Sequence, residues 1–242
     1  MKIALDIGNT SVTVGLFNKN KLLNKKYFNS TSDLIDFLDN IQIRNIEISI
    51  ISSVVPQLTD EYINIFTNQY NIPSIVIDYK MSGLDLCVPN PETIGSDRLC
   101  NIYALKKEYT SPSIIIDFGT ATTYDVINEH QQFIGGAIAP GIETSAKYLI
   151  KKAALLSKTD LLFPNKAIGK NTKTNIQSGI MFGAVDQVEG MIKRINIESP
   201  ADYFIILTGG FANLISEKLS FKHTLDQDLT LKGIKYIYEY NI

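Results

Sequence analysis

One short motif occurs twice in this chain, first near the start and again just before the middle. Asp6-Ile7-Gly8-Asn9-Thr10 has the same design as Asp117-Phe118-Gly119-Thr120-Ala121. Each copy follows a short aliphatic run, which predicts a β-strand that ends at the aspartate. Alternating residues follow each copy and predict a second strand. One such turn is only a loop, whereas two indicate a duplicated nucleotide-binding architecture.

Both turns carry groups that suit a phosphate and its cation. Gly8 and Gly119 let backbone amides approach an anion closely. The nearby hydroxyl donors are Thr10, Ser11, Thr13, Thr120, Thr122 and Thr123. A carboxylate beside them suits a cation paired with a phosphate. The alternative is that each aspartate only caps its own turn, but the repetition favours the binding interpretation.

The first half is predicted to begin with a three-stranded meander. Asn18-Lys19-Asn20 indicates a hairpin turn into the third strand. Further strands are predicted at residues 46–51 and 74–78, with a helix that starts at Pro56. A closing helix begins near Gly95-Ser96. This half is therefore expected to be an α/β domain covering residues 1–111.

The second half, residues 112–242, echoes this pattern. Asn128-Glu129-His130 predicts the matching hairpin turn, and a helix is expected after Pro140-Gly141. A longer helix is predicted from about Thr174 to Arg194. A buried strand is predicted at residues 203–208, before the Gly209-Gly210 pair. Each half is thus predicted to be a mixed β-sheet flanked by helices.

Glycines raise two questions in this second half. Gly179, Gly183 and Gly190 lie on or near one face of the long helix, where each glycine costs about 1 kcal/mol relative to alanine. That face could pack on a twin helix in a dimer or on another element of the same chain. Gly209-Gly210 could leave room for an adenine or ribose, or could form a tight turn.

Composition excludes several classes of function. Apolar residues make up 45% and charged residues 20% of the 242 residues, which is typical of a soluble globular protein. The net charge of −2 offers no basic surface for nucleic acid. No stretch approaches the ~20 apolar residues that cross a bilayer, and no signal peptide is apparent. We therefore expect a cytoplasmic protein without a membrane or nucleic-acid partner.

Cysteine and histidine usage predicts no metal centre of the zinc type. Cys87 and Cys100 have no metal or redox spacing, and we expect both to be reduced. His130 falls in a predicted turn and His223 in a polar C-terminal loop. With no third imidazole, these residues do not indicate a zinc site.

A third acidic position lies in Gly95-Ser96-Asp97-Arg98. In the structural interpretation, Ser96 is an N-cap, Asp97 favours the positive end of the helix dipole, and Arg98 makes a surface ion pair. In the functional interpretation, Asp97 accepts a hydroxyl proton during phosphoryl transfer, while Asp6 and Asp117 serve metal and phosphates. Arg98 then offers a donor fork to a carboxylate-bearing substrate.

The combined motifs resemble the acetate and sugar kinase, Hsp70 and actin superfamily, and in detail the type III pantothenate kinases. The resemblance covers nearly the whole chain, although each motif alone is loose. It rests on both acidic turns and on Ser52-Ser53-Val54-Val55-Pro56, Gly95-Ser96-Asp97-Arg98, Gly135-Gly136-Ala137-Ile138-Ala139-Pro140-Gly141 and Thr208-Gly209-Gly210. It implies two ribonuclease H-like (actin-like ATPase) domains.

The resemblance also implies an activity and its site. The activity is ATP-dependent phosphorylation of pantothenate to 4'-phosphopantothenate, the first step towards coenzyme A. Residues implied to bind ATP phosphates with Mg²⁺ are Asp6, Ile7, Gly8, Asn9, Thr10, Ser11, Val12 and Thr13, while Thr120 contacts ATP. Asp97 is implied as proton acceptor, and Gly95, Ser96, Arg98 and Thr172 as pantothenate ligands. Asp117 is implied to bind K⁺ or NH₄⁺, in a homodimer whose acceptor pocket lies at the subunit interface.

The chain departs from the family pattern at two positions. Ser96 stands where the family usually has alanine, a small change. Val88 stands where it commonly has a tyrosine, so a hydrogen bond to the acceptor is missing. Two other functions are considered: a non-catalytic accessory factor for transcription, and a phosphatase that uses water as acceptor. The three carboxylates favour the kinase.

Overall fold

The computed structural model describes residues 1–41, 43–153 and 159–242, which form two compact units. The first unit consists of Met1–Thr110, Gln131–Ile134 and Asp228–Ile242. The second consists of Ser111–His130 and Gly135–Gln227. The first unit therefore ends close to the predicted division after residue 111, but it also includes the C-terminal segment.

The first unit contains a mixed five-stranded sheet. Its strands are β1 (Lys2–Ile7), β2 (Val12–Asn18), β3 (Lys21–Phe28), β4 (Ile48–Ser53) and β5 (Ser74–Val76), in the order β3-β2-β1-β4-β5. The first three strands form the predicted antiparallel meander, and β4 and β5 run parallel to β1. Its helices before the midpoint are α1 (Thr31–Asp39), α2 (Pro56–Asn64), α3 (Tyr79–Ser82) and α4 (Ser96–Glu108).

The second unit repeats this sheet. Its strands are β6 (Ser113–Phe118), β7 (Ala121–Ile127), β8 (Phe133–Pro140), β9 (Phe204–Thr208) and β10 (Thr224–Leu225), in the order β10-β9-β6-β7-β8. Its helices are α5 (Ile142–Lys152), α6 (Thr172–Glu198) and α7 (Ala212–Ser216). Both sheets place the first strand of the hairpin in the centre and a parallel strand beside it, so the predicted duplication is confirmed.

The repeated aspartates occupy matching positions in the two sheets. Each is the last but one residue of its central strand, β1 or β6. Each lies opposite a threonine of the hairpin strand and a hydroxyl residue of the parallel strand. These partners are Thr13 and Ser52 for Asp6, and Thr123 and Thr208 for Asp117. The sequence repeat is therefore a repeat of strand register.

Apolar side chains on alternate positions bury both faces of the first sheet. On one face, Leu5 and Ile7 of β1 pack in a cluster with Leu34 and Leu38 of α1 and Tyr62 of α2. Helix α1 was not predicted from the sequence, although Ser30 caps it by accepting a hydrogen bond from the Asp33 amide. Burial of these side chains is the main force that holds the helices on this face.

The other face is covered by α4 and by a C-terminal helix, α8 (Leu229–Tyr240), which the sequence analysis did not predict. Leu231, Ile234 and Ile237 of α8 share a cluster with Ala4 and with Cys100 of α4. A Cβ atom on Gly233 would lie 1.9 Å from the Cys100 carbonyl oxygen, so the two helices touch through their backbones. This close packing explains why the C-terminal segment belongs to the first unit.

In the second unit, α6 packs its apolar face on the sheet. Met181, Val185, Val188 and Ile192 share a cluster with Ile116 and other residues of the sheet. Helix α6 is longer than predicted at both ends, and its earlier start is fixed by a capping box between the N-cap Asn171 and Thr174, its third residue. None of the helices in the described parts of the chain is long and apolar enough to span a membrane.

Candidate active site

The first acidic turn is short and open to solvent. Its backbone closes where the Gly8 amide donates to the Ser11 carbonyl oxygen at 3.1 Å. Asn9 and Thr10 are exposed, whereas the side chain of Ile7 is fully buried in the core. Val12 is also buried, so Ile7 and Val12 can offer only backbone groups to a ligand.

Packing among the described residues does not require glycine in either of the two turns. A Cβ atom on Gly8 would come no closer than 3.4 Å, to the Ser11 carbonyl oxygen. One on Gly119 would come no closer than 3.6 Å, to the carbonyl oxygen of Ala121. Both are ordinary contacts, and neither glycine adopts positive φ. The missing side chains therefore leave space for an anion beside the backbone.

Helix α4 begins beside the end of β4 and is attached to it by hydroxyl groups. The Ser96 hydroxyl accepts from the Ser53 amide at 2.8 Å and donates to the Ser53 carbonyl oxygen at 3.0 Å. It also lies 3.0 Å from the Ser52 hydroxyl. The expectation that Ser96 is the N-cap was wrong: Gly95 is the N-cap and Ser96 is the first helical residue. Its hydroxyl bonds to β4 instead of to its own helix.

Asp97 is held close to the helix start by its neighbours. Its Oδ1 accepts from the Arg98 amide at 2.8 Å. Burial raises the pKa of the Asp97 carboxyl above its usual value, and the Arg98 amide and charge offset part of this effect. A Cβ atom on Gly95 would lie 2.5 Å from Asp97 Oδ1. Glycine at 95 therefore lets the carboxylate fold back over the N-terminus of the helix.

Cys100 lies one turn further along α4 and is fully buried. Burial raises the pKa of its thiol well above the usual value, and the charges of Asp6 and Asp97 raise it further. Ser52 lies opposite Asp6 in the strand register, and its hydroxyl is 3.0 Å from the hydroxyl of Ser96, the residue before Asp97. Ser52 therefore links the end of β1, which carries Asp6, to the start of α4, which carries Asp97. Both cysteines are free thiols.

Arg98 lies over an aromatic ring. Its Cζ atom is 5.5 Å from the centroid of Phe133. Phe133 is 2% exposed and belongs to the first unit. The sequence analysis did not select Phe133, because no local pattern links residue 133 to the start of α4.

The second acidic turn is enclosed by glycines. A Cβ atom on Gly209, whose φ is +89°, would lie 2.4 Å from Asp117 Oδ1 and 2.6 Å from the Phe118 amide nitrogen. A Cβ atom on Gly141 would lie 2.3 Å from the Gly119 carbonyl oxygen. The Thr120 carbonyl oxygen accepts from the Gly141 amide at 3.0 Å. The tight-turn interpretation therefore accounts for Gly209, while a Cβ on Gly210 would meet none of the described atoms within 4 Å.

Two further predicted positions lie outside these turns. Thr172 is the exposed first residue of α6, directly after the capping residue Asn171. Val88 is half-buried, and its amide donates to the Leu86 carbonyl oxygen at 2.9 Å. Thr120 is exposed and lies three residues after Asp117.

A divalent cation fits the first turn only with help from its substrate. Within the described residues, no group of three or more His, Cys, Asp or Glu side chains could hold a metal ion. Mg²⁺ in phosphoryl-transfer sites is usually bound by one or two carboxylates together with substrate phosphates and water. Asp6, at the end of β1 beside the open Gly8, fits that role.

Comparison with known sequences identifies relatives along the whole chain. The sequence model of the type III pantothenate kinase family matches residues 2–194. The type III pantothenate kinase of Listeria monocytogenes serotype 4a, strain HCC23, is 41% identical over 255 residues, which cover 100% of this chain and 98% of that protein. The type III pantothenate kinase of Dehalococcoides mccartyi strain CBDB1 is 37% identical over 251 residues, covering 99% and 95%.

Solved structures share the fold at low sequence identity. A Campylobacter jejuni protein named for the Baf family of transcriptional activators superposes with a TM-score of 0.64 at 19% identity, over 99% of this chain and 98% of that one. MreB 5 of Spiroplasma citri, bound to AMPPNP, has a TM-score of 0.53 at 11% identity, over 98% and 96%. The fold is the duplicated ribonuclease H-like fold of actin-like ATPases. Because the family model spans most of the chain and relatives up to 41% identical span all of it, the protein belongs to the type III pantothenate kinase family.

Proposed function

We propose that this protein transfers the γ-phosphoryl group of ATP to the terminal hydroxyl of pantothenate. The products are 4'-phosphopantothenate and ADP, and the reaction is the first step towards coenzyme A. The observation that carries the proposal is the pair Asp97-Arg98 at the start of α4, where Ser96 contacts Ser52, the strand neighbour of Asp6, in a chain related along its full length to type III pantothenate kinases.

Asp97 is the proton acceptor in this proposal. A carboxylate that is partly buried binds a proton more readily than one in water, and burial raises the pKa of Asp97. The pantothenate hydroxyl loses its proton to Asp97 as its oxygen bonds to the γ-phosphorus. The bond from that phosphorus to the bridging oxygen of ADP breaks in the same transfer. Most of the acceleration comes from positioning and charge neutralisation.

The turn from Asp6 to Thr13 holds the ATP phosphates in this proposal. The open side of Gly8 admits a phosphate to the backbone amides, and the exposed Asn9 and Thr10, with Ser11, supply side-chain donors. Asp6 holds Mg²⁺, which supplies neutralisation of phosphate charge when it is bound.

The second unit contributes the Asp117 turn. We assign Asp117 to a monovalent cation, K⁺ or NH₄⁺, and Thr120 to ATP. Two observations support these assignments. Thr120 is exposed and a Cβ on Gly119 would make only ordinary contacts, whereas the Asp117 carboxylate is packed against Gly209. A firmly packed carboxylate suits a cation that serves as a permanent counter-charge.

The acceptor pocket is assigned to Gly95, Ser96, Arg98 and Thr172. Arg98 carries the planar donor fork that matches the carboxylate of pantothenate. Ser96 takes part through the position it gives to α4, because its hydroxyl is bonded to β4. Gly95 takes part through the space that it leaves for the Asp97 carboxylate.

A homodimer through α6 completes the proposal. Apart from the adjacent backbone of α6 itself, Cβ atoms on Gly179, Gly183 and Gly190 would meet no described atom within 4 Å, so packing of α6 on other described elements does not explain these glycines. At 100° per residue, the 72%-exposed Ile197 lies on the same helix face. Small residues on an open face allow two helices to approach closely. Sedimentation velocity would test the dimer, and a monomer at micromolar concentration would contradict it.

Two coarser assignments accompany the site. We propose that the two actin-like domains divide after residue 111, and that α8, although it lies within residues 112–242, completes the first of them. We also propose that the enzyme works in the cytoplasm, because ATP is available there as phosphoryl donor.

Measurement of ADP release with and without pantothenate, in a buffer containing K⁺ and Mg²⁺, tests the function. Pantothenate-dependent release of ADP, with 4'-phosphopantothenate identified by mass, is the expected result. ADP release that is independent of pantothenate would indicate a phosphatase. No turnover under any of these conditions would indicate a non-catalytic accessory factor and would contradict the proposal.

A further inference from the structure

The contact between Arg98 and Phe133 is not part of the kinase assignment above. Phe133 is the first residue of β8, yet it belongs to the first unit together with Arg98. Its ring is almost fully buried and lies below the guanidinium. We infer that Phe133 is a positioning residue, whose ring holds the Arg98 guanidinium where the carboxylate of the acceptor binds.

The backbone of Phe133 is held on both sides by one short segment. The Phe133 amide donates to the Asp85 carbonyl oxygen at 2.9 Å, and the Cys87 amide donates to the Phe133 carbonyl oxygen at 2.9 Å. Gln132 Nε2 donates to Asp85 Oδ2 at 2.6 Å. With both backbone groups bonded and the ring buried, the ring is a rigid surface for Arg98.

An aromatic ring suits this task for two reasons. The negative face of the ring attracts the guanidinium cation. A guanidinium over a ring keeps its N–H groups at its own edge, where they can form a bidentate pair with a carboxylate. A side chain held in its binding conformation also loses less entropy when the substrate arrives. The ring should therefore affect acceptor binding and leave ATP binding and the chemical step unchanged.

This inference rests on the proposed function, because it assumes that Arg98 binds the carboxylate of pantothenate. The test substitutes Phe133→Leu, which keeps an apolar side chain but removes the ring. Phe133→Tyr keeps the ring. Phe66→Leu is the matched control, since Phe66 is a fully buried phenylalanine in a core cluster of the same unit.

Steady-state kinetics then separate the acceptor from the donor. Phe133→Leu is expected to raise KM for pantothenate about ten-fold, with kcat and KM for ATP within about two-fold of the wild-type values. Phe133→Tyr should keep the wild-type KM. Phe66→Leu should lower the melting temperature without changing the KM for pantothenate.

A substrate without the carboxylate shows whether the ring acts through Arg98. Pantothenol has an alcohol in place of that carboxylate, so Phe133→Leu should leave its KM unchanged. In an Arg98→Ala background, Phe133→Leu should add less than about two-fold to the KM for pantothenate, because the group that it positions is gone. This double-mutant comparison distinguishes positioning from a general effect on the fold.

Several outcomes would overturn the inference. Equal rises in KM for pantothenate and pantothenol, or a rise for ATP, would show that the ring is only structural. If Phe133→Leu does not fold, Phe133→Met takes its place, and failure of both to fold would assign Phe133 to the core alone. A wild-type protein that phosphorylates no pantothenate would instead contradict the proposed function itself, and this result is visible before any variant is made.

Discussion

The two acidic turns have the same place in the sheet but different surroundings. Asp6 and Asp117 each end a central strand between two hydroxyl residues. Ser52, the strand neighbour of Asp6, contacts the Ser96 hydroxyl at the start of α4, and the next residue of that helix is the second acid, Asp97. At the other turn, Gly209 lies against the Asp117 carboxylate, and Gly141 lies against the backbone of Gly119 and Thr120. Duplication thus supplied two identical strand ends, and the element packed beside each one decides what that end can do.

The two surroundings have different chemical consequences. Beside Asp6, a carboxylate with a raised pKa is available to accept a proton. In the second turn, the carboxylate of Asp117 itself is packed against Gly209, a position that tolerates no side chain. The first surrounding suits the reacting groups and the second suits a bound ion that remains in place. Four predictions test this difference, beginning with the largest expected effect.

Substitution of Asp97 by asparagine should have the largest effect. Asp97→Asn keeps the shape of the side chain but removes the proton acceptor, so kcat should fall by about 100-fold or more. KM for ATP should change little, since Asp97 is not assigned to the nucleotide. Asp33→Asn, an exposed acid in the first turn of α1, is the matched control and should behave as wild type. Near-normal turnover of Asp97→Asn would remove the distinction between the two turns.

The two repeated aspartates should respond to different cations. Asp6→Asn should raise the Mg²⁺ concentration needed for half-maximal activity about ten-fold or more, because a ligand charge near the phosphates is lost. Asp117→Asn should raise the K⁺ requirement by a similar factor and leave the Mg²⁺ requirement unchanged. Titration of each cation at saturating levels of the other measures both effects. If both variants shift both requirements equally, the two turns are functionally equivalent.

Alanine substitutions at Gly119 and Gly209 should have different effects, because the first glycine leaves room for a ligand and the second is packed against its neighbours. Gly119→Ala should keep the wild-type melting temperature but raise KM for ATP about ten-fold, because its Cβ occupies space left for the ligand. Gly209→Ala should lower the melting temperature by about 5 °C, because φ is +89° and its Cβ would meet Asp117 Oδ1 at 2.4 Å. Thermal unfolding and ATP kinetics on both proteins provide the measurement. A large loss of stability in Gly119→Ala would contradict the assignment of its space to a ligand.

The smallest expected effect is the dependence of stability on pH. Burial raises the pKa of Asp97 above its ordinary value of 3.8, so its contribution to stability is full below that value and is lost as the pH rises through the raised pKa. At pH 7 the buried charge is unfavourable, and Asp97→Asn should raise the melting temperature by about 2 °C. The difference should shrink as the pH falls. A variant that is less stable than wild type at pH 7 would show that the carboxylate is stabilised in its charged form.

Local patterns predicted much of the fold. The hairpin turn after Asn18 and the start of α2 at Pro56 lie where the sequence analysis put them. The strand that stops at Thr208 also lies where it was expected. Each depends on residues that act over a few positions, such as turn formers and an N-terminal proline. The C-terminal helix α8 was not predicted, and it contains Gly233, a residue that is unfavourable in an isolated helix. Its compensation is a backbone contact with Cys100, which is far away in sequence.

Some residues of the candidate site could likewise be predicted from local patterns, and others could not. The open glycines and the exposed threonines of the turns could be selected from the repeat alone. Ser96 could not be interpreted correctly, because its hydroxyl bonds to Ser53 on another element instead of capping its own helix. Phe133 could not be found at all, because its relation to Arg98 exists only after β8 and the segment at residue 85 have paired.

By itself, the sequence determined that this protein has two copies of one sheet, each with an Asp-x-Gly turn at the end of its central strand. Strand periodicity and turn chemistry are local properties and can be recognised without the rest of the chain. Only the tertiary structure decided how the copies differ, since that depends on what packs beside each turn. The raised pKa of Asp97, the ring under Arg98 and the glycine against Asp117 all arise from burial between distant segments. Burial depends on the whole fold, and no local pattern specifies it.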